Sequence, residues 1–549
     1  TLLASSAASD VYKRQNKYSA GWNKYLLGSY EQNEDGSYSY TTNRVGNEVS
    51  TDLNSINETA GDRRIYLEAM VDYNRTFGRH DVNAMLLYNQ DELVNNVPGN
   101  NLINSLPKRK QGLAGRLSYA YDGKYMAEVN MGYNGSENFA KGHRWGFFPS
   151  IALGYNISEE SFFEPLRKVI TSMKLRGSWG LVGNDQIGGE RFIYMPTINL
   201  SGKGFTTGID QNYGLSGPVY TRYENNSITW EVGEKINLGI DLQLLNSLNI
   251  VVDIFRETRR DIFQKKGTIP TYLGTGNTDV FGNLAEMKNQ GLDLSIDYNK
   301  AFSKDFYMNF KGTFTYAHNE ITKYDEAPKY AFQSKVGQSA NVSQGYLSNG
   351  LFLDEAEIDR YNQQMGSTLG AGDIKYLNVS NMHGYGDDIV DVDDWTWIGN
   401  PTVPEIVYGF GPSFKYKNWD FSFFFQGVAK TSLFMSGFHP FGDNSLRNVL
   451  QFVANDRWSP TNQNVDAKYP RLTRKTSLNN TNPGNSGRTS DYWMRDGSFL
   501  KLKNMELGYT FKRMRFYISG SNLLTFSKLD LWDPEQGGGS GLKYPTQRV

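Results

Sequence analysis

The stretch RLSYAYDGKYMAEVNMGYNGSENFAKGHRWGFFPSIALGYNIS, Arg116 to Ser158, sets three ribbon-like segments end to end, each alternating between apolar and polar residues. From Lys124 to Asn134 one face carries Tyr125, Ala127, Val129, Met131 and Tyr133, and the other Glu128, Asn130, Gly132 and Asn134. Side chains of a strand alternate faces with a period of two, so one face is apolar and the other wet. In the preceding segment Leu117, Tyr119 and Tyr121 oppose Arg116, Ser118 and Ala120, and Asp122-Gly123 joins the two as a tight hairpin. The third segment sets Phe147, Ile151, Leu153 and Tyr155 against Phe148, Ser150, Ala152, Gly154 and Asn156. A soluble sandwich would alternate in the same way, so the period alone does not name the solvent on the apolar side.

Composition narrows the choice. The chain has 549 residues, 38% of them hydrophobic, and a mean hydropathy of −0.56, yet 14% are aromatic and 56 are glycine. That combination suits a transmembrane barrel, in which only alternate residues touch lipid and aromatic residues gather at the two interfaces. No run of about 18 apolar residues is present, which excludes a helical membrane protein. A net charge of −1 gives no reason to expect nucleic acid. Zero cysteines remove disulfides, thiol catalysis and cysteine-based zinc sites together. Residues 1–15, TLLASSAASDVYKRQ, carry neither an initiator Met nor a signal-peptide pattern, and are read as a non-native or disordered segment preceding the fold.

Further period-two segments are Arg64 to Arg75, His80 to Asn89, Met173 to Gly183, Trp230 to Leu245, Asn249 to Arg259, Leu292 to Asn299, Phe306 to His318, Ile406 to Tyr416, Trp419 to Gln426, Leu500 to Phe511 and Met514 to Asn522. Short joins at Phe77-Gly78, Asp122-Gly123, Asn246-Ser247, Ser303-Lys304, Lys417-Asn418 and Lys512-Arg513 alternate with long ones. The join from Glu159 to Ile170 falls on the short side and fits a helical turn. Short turns at one rim and long loops at the other are how outer-membrane barrels connect their strands, with the long side extracellular. A sandwich has no reason to sort loop length by parity. The sequence therefore predicts an all-β fold, a large antiparallel transmembrane β-barrel with short periplasmic turns and long extracellular loops. Asn237, Gly239, Asp241 and Gln243, opposing Ile236, Leu238, Ile240 and Leu242, would face its aqueous or plugged interior.

Several segments carry a family resemblance. The runs GHRWGFFPSIALGYNISEE (Gly142 to Glu160) and LRGSWGLVGND (Leu175 to Asp185) resemble the C-terminal barrel of SusC/RagA-type TonB-dependent transporters of Bacteroidetes. TWEVGEKINLGIDLQLLN (Thr229 to Asn246), GNLAEMKNQGLDLSIDY (Gly282 to Tyr298), GDIKYLNV (Gly372 to Val379), IGNPTVPE (Ile398 to Glu405), YWMRDGSFLKLKNMELGYTF (Tyr492 to Phe511) and GSNLLTFSKLDLWDPE (Gly520 to Glu535) follow in the same order. The resemblance implies a 22-stranded barrel, of which roughly 14 to 16 strands lie in residues 16–549, with the plug domain, TonB box and closing strand outside this chain. It also implies location in the cell outer membrane, active import of a large nutrient, usually a glycan and sometimes a peptide, a SusD-like lipoprotein lid over the loops, energy from TonB, and no enzymatic chemistry.

Within the long loops, Trp395, Trp397, Phe434, Phe438 and Trp458 are candidate substrate contacts, since sugars stack their apolar ring faces on aromatic side chains. Their alternative role is loop packing or contact with the lid. The acidic run Asp387, Asp388, Asp391, Asp393 and Asp394 is the strongest local chemistry, and Asp387, Asp391 and Asp394 match calcium-loop positions. The same alignment puts His383 and Tyr385 at ligand positions and Asp388 where a glycine should turn, so calcium is the one cofactor expectation and a weak one. No G-x-S-x-G, H-E-x-x-H or P-loop occurs, and the five histidines are scattered singly, so the chain is not read as an enzyme. A passive porin and a secreted β-rich glycan-binding or adhesin protein remain as alternatives.

Overall fold

The computed structural model describes residues 2–19, 24–45, 52, 54–97, 102–189, 191–270, 272, 279–361, 363–364, 369–385, 387–438, 441, 449–473, 480 and 489–539. Fifteen long strands follow one another: β1 (Leu2–Ser19), β2 (Asn54–Phe77), β3 (His80–Asn95), β4 (Lys108–Tyr121), β5 (Tyr125–Ser136), β6 (Trp145–Asn156), β7 (Ile170–Asn184), β8 (Glu231–Leu244), β9 (Leu248–Lys265), β10 (Phe281–Ala301), β11 (Phe306–Lys323), β12 (Ile406–Tyr416), β13 (Trp419–Ala429), β14 (Phe499–Phe511) and β15 (Met514–Ser527). The chain divides into two compact units, residues 1–73, 84–115 and 132–147 in one and 74–83, 116–131 and 148–549 in the other. In the smaller unit β1 pairs antiparallel with β2 without a break, from Leu2 opposite Val71 to Ser19 opposite Asn54. Strand β1 takes in residues from Leu2 onward. In the larger unit the sheet is a plain meander, each strand hydrogen-bonded to the next in sequence order through β15.

All fourteen sequence-predicted strands are present, and the structure lengthens most of them. Segment Ile406–Tyr416 matches residue for residue, whereas β10 begins at Phe281, well before the predicted Leu292. The short connections fall where they were expected. Asp122 and Gly123 both have positive φ, 56° and 66°, the geometry of a type I′ turn that matches the twist of its flanking strands. Residues 157–169 hold two 3₁₀ turns, Ile157–Glu159 and Ser161–Leu166.

The register stacks one kind of side chain on each face. Leu153 opposes Gly177, which opposes Leu238, then Ile254, Leu292, Tyr316 and Ile406, a nearly unbroken apolar row across seven strands. One residue along, Gly154, Arg176, Gly239, Asp253, Asp293 and Thr315 form the corresponding polar row. A sandwich would bury the apolar row against a second sheet. Here Leu153 is 58% exposed, Leu238 63% and Ile254 59%, while Glu128, Asn130 and Asn134 of the polar face are half-buried. A face this apolar and this exposed has lipid as its solvent, and only a sheet whose backbone pairs internally can occupy that place.

Candidate functional site: the polar wall and the loop layer

On the polar face, Arg176 ties three strands together. Its Nη1 and Nη2 donate to both Asp253 carboxylate oxygens at 2.8 and 2.7 Å, and its Nε donates to Asp241 at 3.0 Å. Between Arg176 and Asp253 stands Gly239, where a Cβ would sit 2.7 Å from the Arg176 guanidinium carbon. The glycine therefore lets the guanidinium cross β8 and reach β9. Arg116 donates to Glu128 from Nε and Nη2 at 2.9 and 2.6 Å, and Thr315 donates to Asp293 at 2.7 Å. The wall is a lattice of paired charges and hydrogen-bonding groups on a rigid sheet, which suits a wet conduit.

Above the wall, the long loops between β11 and β12 and between β13 and β14 build a core of their own. Tyr346, Leu351, Ile374, Tyr376, Val390, Met435, Phe438, Phe441, Val453, Trp458, Tyr469 and Trp493 are all buried together, with Leu531 and Trp532 packed against them. Two buried ion clusters pin this layer. Asp373, fully buried, accepts from Gly370 N at 2.9 Å, Arg471 Nη2 at 3.0 Å and Asn480 Nδ2 at 2.6 Å, and pairs with Arg471 Nε as well. Asn480 in turn accepts from Ile374 N at 3.0 Å. Beside it Gly372 has φ +84°, and a Cβ there would lie 2.3 Å from the Trp458 ring. That explains the GDIKYLNV segment: the glycine seats a tryptophan and the aspartate anchors two distant loop residues. The second cluster is Lys501, also fully buried, whose Nζ donates to Asp533 at 2.6 and 2.5 Å and to Glu535 at 2.7 Å. Lys503 reaches Glu535 at 2.7 Å.

The candidate aromatic residues separate on this core. Phe438 and Trp458 are core members, only 2% and 5% exposed, so in this structure they pack the loops. Trp397 is half-buried, with its indole N–H donating to Ser334 O at 2.9 Å, and Phe434 is half-buried in a short strand, Ser432–Phe434. Trp395 is the most open, 36% exposed and edge-on to Tyr346. Sequence reasoning missed a neighbouring stack. Tyr330 lies against Phe332 and Tyr385, and Phe332 stacks on His383 with ring centroids 4.6 Å apart. No local pattern could have found it, because its halves come from two places in a loop.

The acidic run closes the loop on itself. Asp394, fully buried, accepts from Ser380 N at 2.9 Å and Asp391 N at 2.8 Å, and Asp391 caps the following 3₁₀ turn by accepting from Asp393 N at 2.8 Å. Asp387 accepts from Asn378 Nδ2 and Ile389 N, and Asp393 pairs with Lys329. Burial pushes the Asp394 carboxyl above the usual aspartate range despite the two amides it accepts. Among the described residues no three His or carboxylate side chains gather as a metal site.

Comparisons with known proteins agree with this architecture. The profile of the family described as TonB dependent receptor-like, beta-barrel, matches residues 4–523. The chain is 28% identical over 451 residues to TonB-dependent receptor SusC of Bacteroides thetaiotaomicron, covering 77% of this chain and 41% of that protein. It is 26% identical over 445 residues to TonB-dependent receptor P3 of Formosa agariphila, again covering 77% and 41%. The chain thus spans about two fifths of the length of these curated relatives. Its fold is also that of a solved structure described as the RagAB peptide transporter, with a TM-score of 0.67 at 19% identity, covering 98% of this chain and 57% of that one. The chain belongs to the TonB dependent receptor-like β-barrel family, whose model matches nearly its whole length.

Proposed function

We propose that this chain supplies the barrel wall and extracellular loop rim of an energy-coupled importer for a large polar nutrient, an oligosaccharide or a peptide. The observation that carries the reading is the two-faced sheet: an apolar row exposed to lipid, backed by a polar row of paired charges, within a family match spanning residues 4–523. The relative RagAB is described as a peptide transporter and SusC as a TonB-dependent receptor, which supports import of a solute too large for a simple pore. In this reading a SusD-like lipoprotein covers the loop layer, and TonB supplies the energy for import. The wall holds a fixed geometry and breaks no bond. Trp395, Trp397 and Phe434 supply aromatic surface to the passing substrate at the loop rim. Deleting the gene in its host and measuring growth on a panel of oligosaccharides and peptides tests the proposal. Loss of growth on one large substrate class, with monomers still used, is the expected result. Unchanged growth on every member of the panel, or loss on monomers alone, would count against it.

A further inference from the structure

The outward face of the sheet is not uniformly covered. In the row Leu153, Gly177, Leu238 the central position has no side chain, and the small Ala127 of β5 lines the same place. Tyr119, Tyr125, Leu153, Leu175 and Leu238 stand around this dent, enclosing a groove of about 530 Å³, within the range that holds a ligand-sized group. The lining is almost wholly apolar, and one end of the groove is polar. There Tyr125 and Tyr155 stack with centroids 5.2 Å apart, and both hydroxyls donate to Glu160, at 2.6 and 3.4 Å. Lys124 Nζ lies 3.8 Å from the same carboxylate.

The position of the groove in the bilayer follows from strand geometry. Ala127 is four residues beyond the Asp122-Gly123 turn. At about 3.3 Å per residue and a tilt of about 45°, it sits roughly 9 Å above the periplasmic rim, inside an apolar band about 25 Å tall. The groove therefore opens into the periplasmic leaflet. It continues the lipid-facing surface, so the molecule that meets it first is a lipid.

We infer that this groove is a seat for one phospholipid of the periplasmic leaflet. One acyl chain lies over Gly177 between Leu153 and Leu238, and a zwitterionic headgroup meets the rim. The side-by-side ammonium of Lys124 and carboxylate of Glu160 complement the phosphate and the amine of an ethanolamine headgroup. Gly177 is a sound place to test the seat, because a Cβ there would meet the end of the Leu238 side chain, 3.3 Å away, and Asn237 O only at an ordinary contact distance of 3.9 Å, and no positive φ is involved.

The protein is purified in mild detergent, supplied with palmitoyl-oleoyl phosphatidylethanolamine and examined by native mass spectrometry. The unmodified protein is expected to retain one phosphatidylethanolamine through delipidation. Gly177→Leu and, independently, Ala127→Leu fill the groove, and each is expected to lower retention about tenfold, the effect of excluding about two methylenes. Ile518→Leu, on an outward position of β15 that is 73% exposed, serves as the control and retains the lipid. Folding of each variant is followed by heat-dependent gel mobility, and Ala127→Leu decides if Gly177→Leu does not fold. Phosphatidylglycerol retained as well as phosphatidylethanolamine would remove the headgroup assignment. Equal retention by the groove variants, or no lipid retained by the unmodified protein, would overturn the seat itself.

Discussion

Replacing Lys501 by Met keeps the length of the side chain and removes its charge, at a position with no solvent contact. The lost ammonium makes three bonds, two to Asp533 and one to Glu535. Glu535 keeps Lys503, at 2.7 and 2.8 Å, but the carboxylate of Asp533, whose side chain is 6% exposed, loses its cation. Removing one partner of a buried pair costs about 3–5 kcal/mol, because the other charge is left without compensation. The cost falls on the docking of residues 528–539, which carries Leu531 and Trp532 into the loop core. A loss of about 3 kcal/mol raises the undocked population by roughly a hundredfold. Lys528, its side chain 84% exposed, precedes Leu529 and offers trypsin a bond just before this segment. When opening is fast, cleavage follows the open population. Trypsin should therefore cut after Lys528 about a hundredfold faster in Lys501→Met. The pair Lys501→Met with Asp533→Leu removes both charges and should recover much of the loss. A cleavage rate within about twofold of the unmodified protein, or a double variant as labile as the single one, would refute the reasoning.

Three other outcomes follow from the same structure. Leu238→Arg puts a cation on the lipid face and should cost about 2–4 kcal/mol near the bilayer centre, whereas Asn237→Arg on the wet face should stay within about 0.5 kcal/mol; denaturant titration in liposomes compares them. Trp458→Ala should destabilise the loop layer by about 3–5 kcal/mol, seen as faster hydrogen exchange of residues 369–382, while Trp395→Ala should leave exchange unchanged and lower uptake of the imported substrate. Burial alone would raise the Glu535 carboxyl, yet the ammonium groups of Lys501 and Lys503 hold it below the usual glutamate range. Its stabilising contribution is then whole above the ordinary glutamate value and disappears as pH falls through the lower folded value, so trypsin-like probing with an acid-active protease should show the 528–539 segment loosening only at acid pH.

How much of this was legible in the sequence depends on where lipid lies. Between Leu117 and Tyr155 lipid on one side and water on the other write the alternation directly into the residue order, so strand, facing and hairpin could all be read. In FGNLAEMKNQG, Phe281 to Gly291, the strand β10 has begun but the alternation has not, so pairing extends where the pattern is silent. The loops were harder for a different reason. Asp373 is understood only beside Arg471 and Asn480, and Lys501 only beside Asp533 and Glu535, partners that no local spacing announces. An aromatic residue in a loop reads the same whether it packs inward, as Trp458 does, or stands half open, as Trp395 does. The acidic run suggested a cation because its spacing was close to that of calcium ligands; that Asp394 also accepts the amides of Ser380 and Asp391, and Asp391 that of Asp393, could not be read from the spacing.

The central claim is that the apolar face meets lipid and the polar face meets water, and the absence of cysteine from the chain makes it directly testable. Single cysteines placed in turn at Ile236, Asn237, Leu238, Ile240 and Asp241, in protein reconstituted into liposomes, are exposed to a membrane-impermeant maleimide. The account predicts labelling at Asn237 and Asp241 and protection at Ile236, Leu238 and Ile240. Uniform labelling, or the opposite alternation, would contradict it.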